Sequence, residues 1–430
     1  MSRDNTITIA PARSIAGSAR MPGDKSISHR YAMLAAIAEG RSKFHNFASG
    51  ADCASTLGCV EALGCDVRRD GTTVEITGRG AQLSAPAGPL DCGNSGSTMR
   101  MLSGILAGQE FACELRGDES LSRRPMARVI APLTQMGANI RAAAGERPPL
   151  HIAGNRLQAI DYVTPVPSAQ VKTCVLFAGL LAAGTTSVEE TVRTRDHGEL
   201  ALRAFGAEVE RRRKRASIRG GQPLHAIEAN IPGDISSASF FLCAAALLPG
   251  SKLVIDDVLL NPTRAALLDV LATLGAHVSV LQVEEHNGEL VGTVVGEARA
   301  LRGATISGAL TAALIDELPV LAAIAPYTKD GITITDAREL RVKESDRIAS
   351  IAENLRRMGA QVEEREDGVH VPGGQKLRGA EVDSAGDHRI AMAFAVAALA
   401  AQGETTIHGA DAARISFPEF FTMLDKLAVR

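Results

Sequence analysis

The chain has 430 residues, 45% of them apolar and 22% charged, with a formal net charge of −3. That length favours two domains, the composition is that of a globular protein with large cores, and the slight acidity excludes a general nucleic-acid binder. Trp is absent and Tyr and Phe are few, so the cores must be built from Ala, Leu, Ile and Val.

At the start of the chain, MSRDNTITIAPARSIAGSARMPG has no apolar h-region, so no signal peptide is expected; within it TITIAPA (6–12) reads as a strand. From there one structural phrase recurs six times. Each copy opens with an apolar helix rich in small residues, over 26–40, 96–108, 168–184, 236–250, 307–326 and 387–403. These helices start with Ser, Gly or Asp and most close on Gly, the chemistry of helix caps. Being apolar nearly all round, they should be buried on most sides.

A second, more charged helix follows in each copy. It begins near Asp52, Arg124-Pro125, Asp196-His197, Pro262-Thr263, Lys343-Glu344 and Phe417-Pro418. It closes in a phrase like Leu-Gly-Ala, whose Gly falls at Gly64, Gly137, Gly206, Gly275 and Gly359; the sixth copy lacks it. Short alternating runs such as VEITG (74–78) and GITITDA (331–337) read as strands. A repeat this long decides the architecture. It predicts an α/β protein of two similar domains, each of three βαβαββ units. One domain is expected over 22–232 and the other over 1–21 plus 233–430, with crossings near 21–23 and 231–235. The sixth unit runs off the chain without its last strands, and TITIAPA is placed to supply one.

The remaining information sits at the helix fronts. Helix N-termini carry unpaired N–H groups and partial positive charge, and so suit anions. Here they also hold cations: Lys25 and Arg30, Arg100, Arg123 and Arg124, Lys172, Arg195, Arg264, Lys343 and Arg347, and Arg389. Any one could be a solvated surface residue. Their recurrence at matching repeat positions points to a strongly anionic ligand. Asp316 lies inside an apolar helical run: if buried it is a candidate general base, otherwise a half-exposed neighbour of Glu317. Glu344, between Lys343 and Arg347, also reads as a helix-front acid.

Other motifs carry less. The run RRRKR (211–215) reads as a solvated hairpin, since it lacks the interleaved aromatics of a nucleic-acid site. His197 with Asp196 and Glu199 reads as a hydrogen-bonded helix front rather than a metal site, and Cys113 as a structural thiol in a strand. The cysteines lack the CxxC spacing of zinc sites, and reduced thiols suit a cytoplasmic protein. No apolar run is long enough to span a bilayer.

The ordered set PGDKSISHR, GNSGSTMR, RRPM, SAQVK, RDHGE, NPTR, KESDR, DHRIAM and SFPEF resembles the 5-enolpyruvylshikimate-3-phosphate synthase family over essentially the whole chain. GDKS, SAQVK, RDHGE and NPTR look like its class II branch. The resemblance implies the enolpyruvyl transferase fold, an inverse α/β barrel. It also implies transfer of the enolpyruvyl group of phosphoenolpyruvate to the 5-hydroxyl of shikimate 3-phosphate. No metal or organic cofactor and no nucleic-acid or membrane partner is expected, and a monomer is.

Residue by residue, Lys25, Ser26, Arg30, Ser168, Ala169, Gln170, Arg195, Asp316 and Lys343 match shikimate 3-phosphate contacts. Lys25, Asn94, Gly96, Arg124, Gln170, Arg347 and Arg389 match the phosphoenolpyruvate site. Asp316, Glu344 and Lys25 match the residues that share the proton transfers. One departure is Ile415, beside Arg414, where the better-known branch carries Lys before the [ST]FP motif. The sister transferase acting on UDP-N-acetylglucosamine typically uses a loop Cys and a Lys-Asn pair. Here Lys25 is followed by Ser26, and the loop GDESLSRRPM has no Cys.

Overall fold

The computed structural model describes residues 5–430; the first four residues of the stretch read for a signal peptide lie outside the described residues. The chain divides into two compact units. One holds the residues up to Pro22, Pro232–Glu285 and Leu290–Arg430, and the other Gly23–Ile231 with His286–Glu289.

The repeat is visible in six sheets. In the second copy, Leu90–Asp91 runs parallel to Ala112–Arg116, which pairs antiparallel with Arg147–Ala153, itself antiparallel to Asn139–Ala143. The parallel pair flanks the first helix, Gly96–Ala107, as a βαβ connection requires. The third copy repeats this order from Asp161–Thr164, and the fifth from Ala304–Ile306.

The first and fourth copies depart from it instructively. The strand preceding the first helix Lys25–Ala36 is Ser14–Arg20, yet the first sheet takes Glu228–Asn230 in that place, parallel to Arg41–His45. Ser14–Arg20 instead leads the fourth sheet, parallel to Lys252–Leu259. The two strands that precede the crossings have traded places. In the sixth sheet Thr6–Ile9 pairs antiparallel with Thr405–His408, so the N-terminal run supplies the missing strand.

Each second helix in the first five copies ends in the same way. Gly64, Gly137, Gly206, Gly275 and Gly359 all have φ between 87° and 97°. At Gly137 the glycine N–H donates to the Thr134 carbonyl, and the Ala138 N–H to that of Leu133. The same pair of bonds recurs at the other four, a Schellman stop that needs a left-handed residue.

The first helices are buried almost throughout, as in Ile235–Leu247 and His388–Ala398. The second helices are one-sided: Arg347–Arg357 buries Ile348, Ile351, Ala352 and Leu355, with Arg347 buried at its front, and turns Glu353, Arg356 and Arg357 out. The few aromatics are grouped rather than absent from the cores. Phe240, Phe241, Phe417 and Phe420 stack in one unit, and Tyr31, Phe44, Phe47 and Phe205 in the other. Among the described residues no helix is long and apolar enough to cross a membrane, and no disulfide joins the cysteines. The RRRKR run forms the hairpin of Val209–Arg212 and Arg215–Arg219.

The fifth first helix differs from the sequence reading. It is two short helices, Ala309–Ala313 and Leu318–Ile324, broken by a turn over 314–317. Pro319 explains the break: it lacks an N–H, and its ring would clash with the carbonyl four residues earlier. Asp316 is therefore not mid-helix but at the front of the second piece.

Helix Gly96–Ala107 packs on Ala169–Leu180 through Gly104, where an added Cβ would lie 2.2 Å from the Cys174 carbonyl oxygen. Gly58, exposed within helix Ala51–Ala62, has nothing within 4 Å of such a Cβ. Chemical denaturation should show Gly104→Ala losing about 1–3 kcal/mol through overpacking, and Gly58→Ala gaining about 0.5–1 kcal/mol from helix propensity. Equal effects at the two sites would contradict the close packing.

Candidate active site

In the unit of Gly23–Ile231, the fronts of the first helices carry the sequence-assigned residues. Asp24 caps helix Lys25–Ala36 by accepting from the Ile27 N–H at 2.8 Å. That fixes the first turn, where Lys25 Nζ donates to Asp52 Oδ2 at 3.0 Å and the Ser26 carbonyl accepts from Arg30 Nη1 at 2.8 Å. Arg30 is buried, and its Nη2 donates to Thr173 Oγ1 at 2.9 Å. Burial pushes its pKa down to about 10; Glu199 and Asp24 oppose that, and nearby Arg195 adds to it.

A second group surrounds Gly96. Arg124 donates to Asn94 Oδ1 at 2.8 Å and to Ser120 Oγ at 3.0 Å, while Asn94 Nδ2 reaches Asp118 Oδ2 at 2.7 Å. Gln170 accepts from Arg100 Nη1 at 2.9 Å and donates to Ser97 Oγ at 2.8 Å. A methyl on Gly96 would lie 2.9 Å from Arg100 Nη1 and 3.6 Å from Arg124 Nη1, so glycine leaves the space that both guanidiniums border. Ser168 caps helix Ala169–Leu180, accepting from the Val171 N–H at 3.3 Å. Its hydroxyl hydrogen remains available to a second acceptor. Arg195 lies in the turn before helix His197–Ala204.

In the other unit a denser cluster forms. Arg347 donates through Nε to Asp387 Oδ2 at 2.7 Å and through Nη2 to Glu344 Oε2 at 2.6 Å. Asp316 Oδ1 lies 3.9 Å from Arg347 Nη1 and 3.7 Å from Arg389 Nε, and its Oδ2 is 3.7 Å from Arg264 Nη1. Arg389 donates to Ser236 Oγ at 2.7 Å and to the Asp316 carbonyl at 2.8 Å. Arg264 reaches Glu317 Oε1 at 3.2 Å and Asp234 Oδ1 at 3.4 Å. Burial draws the Arg347 pKa down, but Asp387, Glu344 and Asp316 outweigh it and hold the group charged well above its ordinary value. Burial dominates at Lys343, whose ammonium is pulled below its ordinary pKa against the fields of Asp316, Glu339 and Glu344.

Carboxylates of the chain itself supply part of the negative charge beside these cationic fronts. Asp234 and Asp387 do so, and each is also the N-cap of a first helix, accepting from Ser236 N and Arg389 N. Their sequence signal, an Asp just before the helix, reads only as a cap. Glu317, not Asp316, is the fully buried carboxylate: it is 1% exposed, while the Asp316 side chain keeps 19%. Asp52, Arg100, Arg264 and Ser236 likewise join these clusters without having been assigned roles. His197 does form a hydrogen-bonded helix front, with Nδ1 2.6 Å from Glu289 Oε1. Burial pushes the Cys113 thiol up to about 11, against a nucleophilic role.

Behind the fronts a buried relay ties the helices together. His29 Nδ1 lies 2.7 Å from Thr56 Oγ1, Thr56 Oγ1 is 2.6 Å from Thr98 Oγ1, and Thr98 donates to Ser95 Oγ at 2.7 Å. Burial, then Lys25 and Arg30, hold the His29 pKa well below its ordinary value. The unfolded chain binds a proton at His29 at higher pH than the folded chain. The contribution is therefore complete above about pH 6.5 and is lost as the pH falls towards the folded pKa. Melting curves between pH 7.5 and 5 should fall less steeply for His29→Asn than for the unsubstituted chain; parallel curves would show that His29 does not titrate in this way.

Comparison with known proteins accounts for the arrangement. The family model for EPSP synthase (3-phosphoshikimate 1-carboxyvinyltransferase) matches residues 9–424. A 3-phosphoshikimate 1-carboxyvinyltransferase of Koribacter versatilis is 64% identical over 99% of this chain and 100% of its own length. One from Solibacter usitatus is 58% identical, covering 98% of this chain and 99% of the relative. A solved EPSP synthase from Acinetobacter baumannii superposes with a TM-score of 0.88 at 39% identity, covering 99% of this chain and 98% of that one. With the repeated fold, the cationic helix fronts and these full-length matches in agreement, the chain belongs to the EPSP synthase family.

Proposed function

We propose that this chain transfers the enolpyruvyl group of phosphoenolpyruvate to the 5-hydroxyl of shikimate 3-phosphate, releasing phosphate. The observation that carries this reading is Asp316, whose carboxylate lies within 3.9 Å of Arg264, Arg347 and Arg389. A carboxylate set among cations can take a proton where anionic substrates are held. Both substrates carry a phosphate and a carboxylate, which gives the many helix-front cations a common purpose.

In this reading Lys25, Ser26, Arg30, Ser168, Ala169, Gln170, Arg195 and Lys343 hold shikimate 3-phosphate. Asn94, Gly96, Arg124, Arg347 and Arg389, with Lys25 and Gln170, hold phosphoenolpyruvate. Arg30 supports its role by having neutral hydrogen-bond partners, Ser26 and Thr173, so a phosphate would complete its charge. Asp316 takes the proton of the 5-hydroxyl as its oxygen bonds to C2 of phosphoenolpyruvate. Glu344 gives a proton to C3, and Lys25 steadies the charge. Loss of a C3 proton and of phosphate from the tetrahedral adduct then restores the double bond.

A coupled assay should detect phosphate release from shikimate 3-phosphate plus phosphoenolpyruvate; turnover with UDP-N-acetylglucosamine instead would overturn the proposal. Asp316→Ala should lower kcat by about 10²- to 10⁴-fold, the usual range for a lost acid–base group. It should still bind shikimate 3-phosphate. Near-normal kcat would remove Asp316 from proton transfer.

A further inference from the structure

Glu317 is 1% exposed, yet it holds no substrate and moves no proton in the reaction proposed above. One of its oxygens, Oε1, accepts from Arg264 Nη1 at 3.2 Å and also from the Ser236 hydroxyl. Ser236 is equally buried, in the first turn of helix Ile235–Leu247, where its N–H donates to Asp234 Oδ1 at 2.7 Å. Its Oγ in turn accepts from Arg389 Nη1 at 2.7 Å. Chemistry dictates the direction of this chain. A guanidinium only donates, so Ser236 accepts from Arg389, and its single hydroxyl hydrogen goes to Glu317.

Arg389 Nη1 carries a second hydrogen, which goes to the Asp316 carbonyl at 2.8 Å. Both hydrogens therefore end on consecutive residues of the turn over 314–317, one directly and the other through Ser236. A guanidinium is a planar fork. Two acceptors on one of its nitrogens set its plane and its direction, whereas one acceptor would let it pivot. A buried carboxylate beside an arginine is weak evidence for a stabilising role, since apolar residues of similar volume often serve as well. The bond to Ser236 gives Glu317 another purpose. A hydroxyl that donates to a carboxylate also accepts more strongly.

We propose that Glu317 is a positioning residue for Arg389: by taking the Ser236 hydroxyl hydrogen it fixes the Ser236 oxygen, and so aims the guanidinium that receives phosphoenolpyruvate. This rests on the assignment of Arg389 to phosphoenolpyruvate made above.

The test is steady-state kinetics of the full chain with each substrate varied in turn. Ser236→Ala should raise KM for phosphoenolpyruvate about 10-fold, the weight of one hydrogen bond to a charged group, and leave KM for shikimate 3-phosphate within about twofold. Glu317→Gln, whose amide oxygen still accepts from Ser236, should stay within about threefold of the unsubstituted chain for both substrates. Glu317→Met, which accepts nothing, should behave like Ser236→Ala. Both act through one bond, so the double variant Ser236→Ala with Glu317→Met should show no further rise. Unchanged KM for phosphoenolpyruvate in Ser236→Ala, equal rises for both substrates, or Glu317→Gln as impaired as Ser236→Ala would each overturn the proposal, as would multiplied losses in the double variant. If Glu317→Met does not fold, Ser236→Ala against Glu317→Gln still decides the matter. Absence of turnover by the unsubstituted chain with both substrates would instead remove the functional reading beneath it.

Discussion

A helix N-terminus and a guanidinium are both positive, and here the sequence places them together again and again. That conjunction is unfavourable in a protein that must fold before any ligand arrives. The two units meet it differently. Around Asp316 and Arg347, carboxylates enter the cluster, two of them doubling as helix caps. Around Arg30 and Gly96 the contacts described are largely neutral oxygens, from Ser26, Thr173, Asn94, Ser120 and Gln170. The bonds described thus differ in kind, carboxylates prevailing in one cluster and neutral oxygens in the other.

The repeat explains how so much charge can be held rigidly. Helices that are apolar on every side, and stopped by a left-handed glycine or a cap, leave their fronts as fixed platforms. Side chains on such platforms need little rearrangement to meet a ligand. The same platform that presents Arg30 also buries His29 in a hydroxyl relay and Lys172 between two glutamates. Buried polar groups at this depth are tolerated because each is held by named partners.

Much of this was legible in the chain itself. The glycine at Gly64, Gly137, Gly206, Gly275 and Gly359 marks a helix end because few other residues adopt that φ. The cationic fronts were legible because they break the rule that favours acids there. Asp316 was misplaced because periodicity outweighed Pro319, whose missing N–H ends the helix. The partners Asp234, Asp387 and Glu317 were hidden because a cap, or a neighbour in sequence, has an ordinary explanation. Their second contacts are with Arg264 or Arg347, far away in the chain. The exchange of leading strands was invisible for the same reason: neither Ser14–Arg20 nor Glu228–Asn230 carries any mark of its partner.

That exchange has a consequence for the order of assembly during synthesis. In the first copy the strand Arg41–His45 has its helix, its hairpin and its hydrophobic face early, but one of its edges is completed only by Glu228–Asn230. Until the ribosome has delivered the end of the third copy, that edge is an open template for pairing with other chains. The fourth copy faces no such delay, because Ser14–Arg20 has been waiting since the start of translation. For the first sheet, that exposed interval spans the middle of synthesis and closes with the arrival of a strand of three residues.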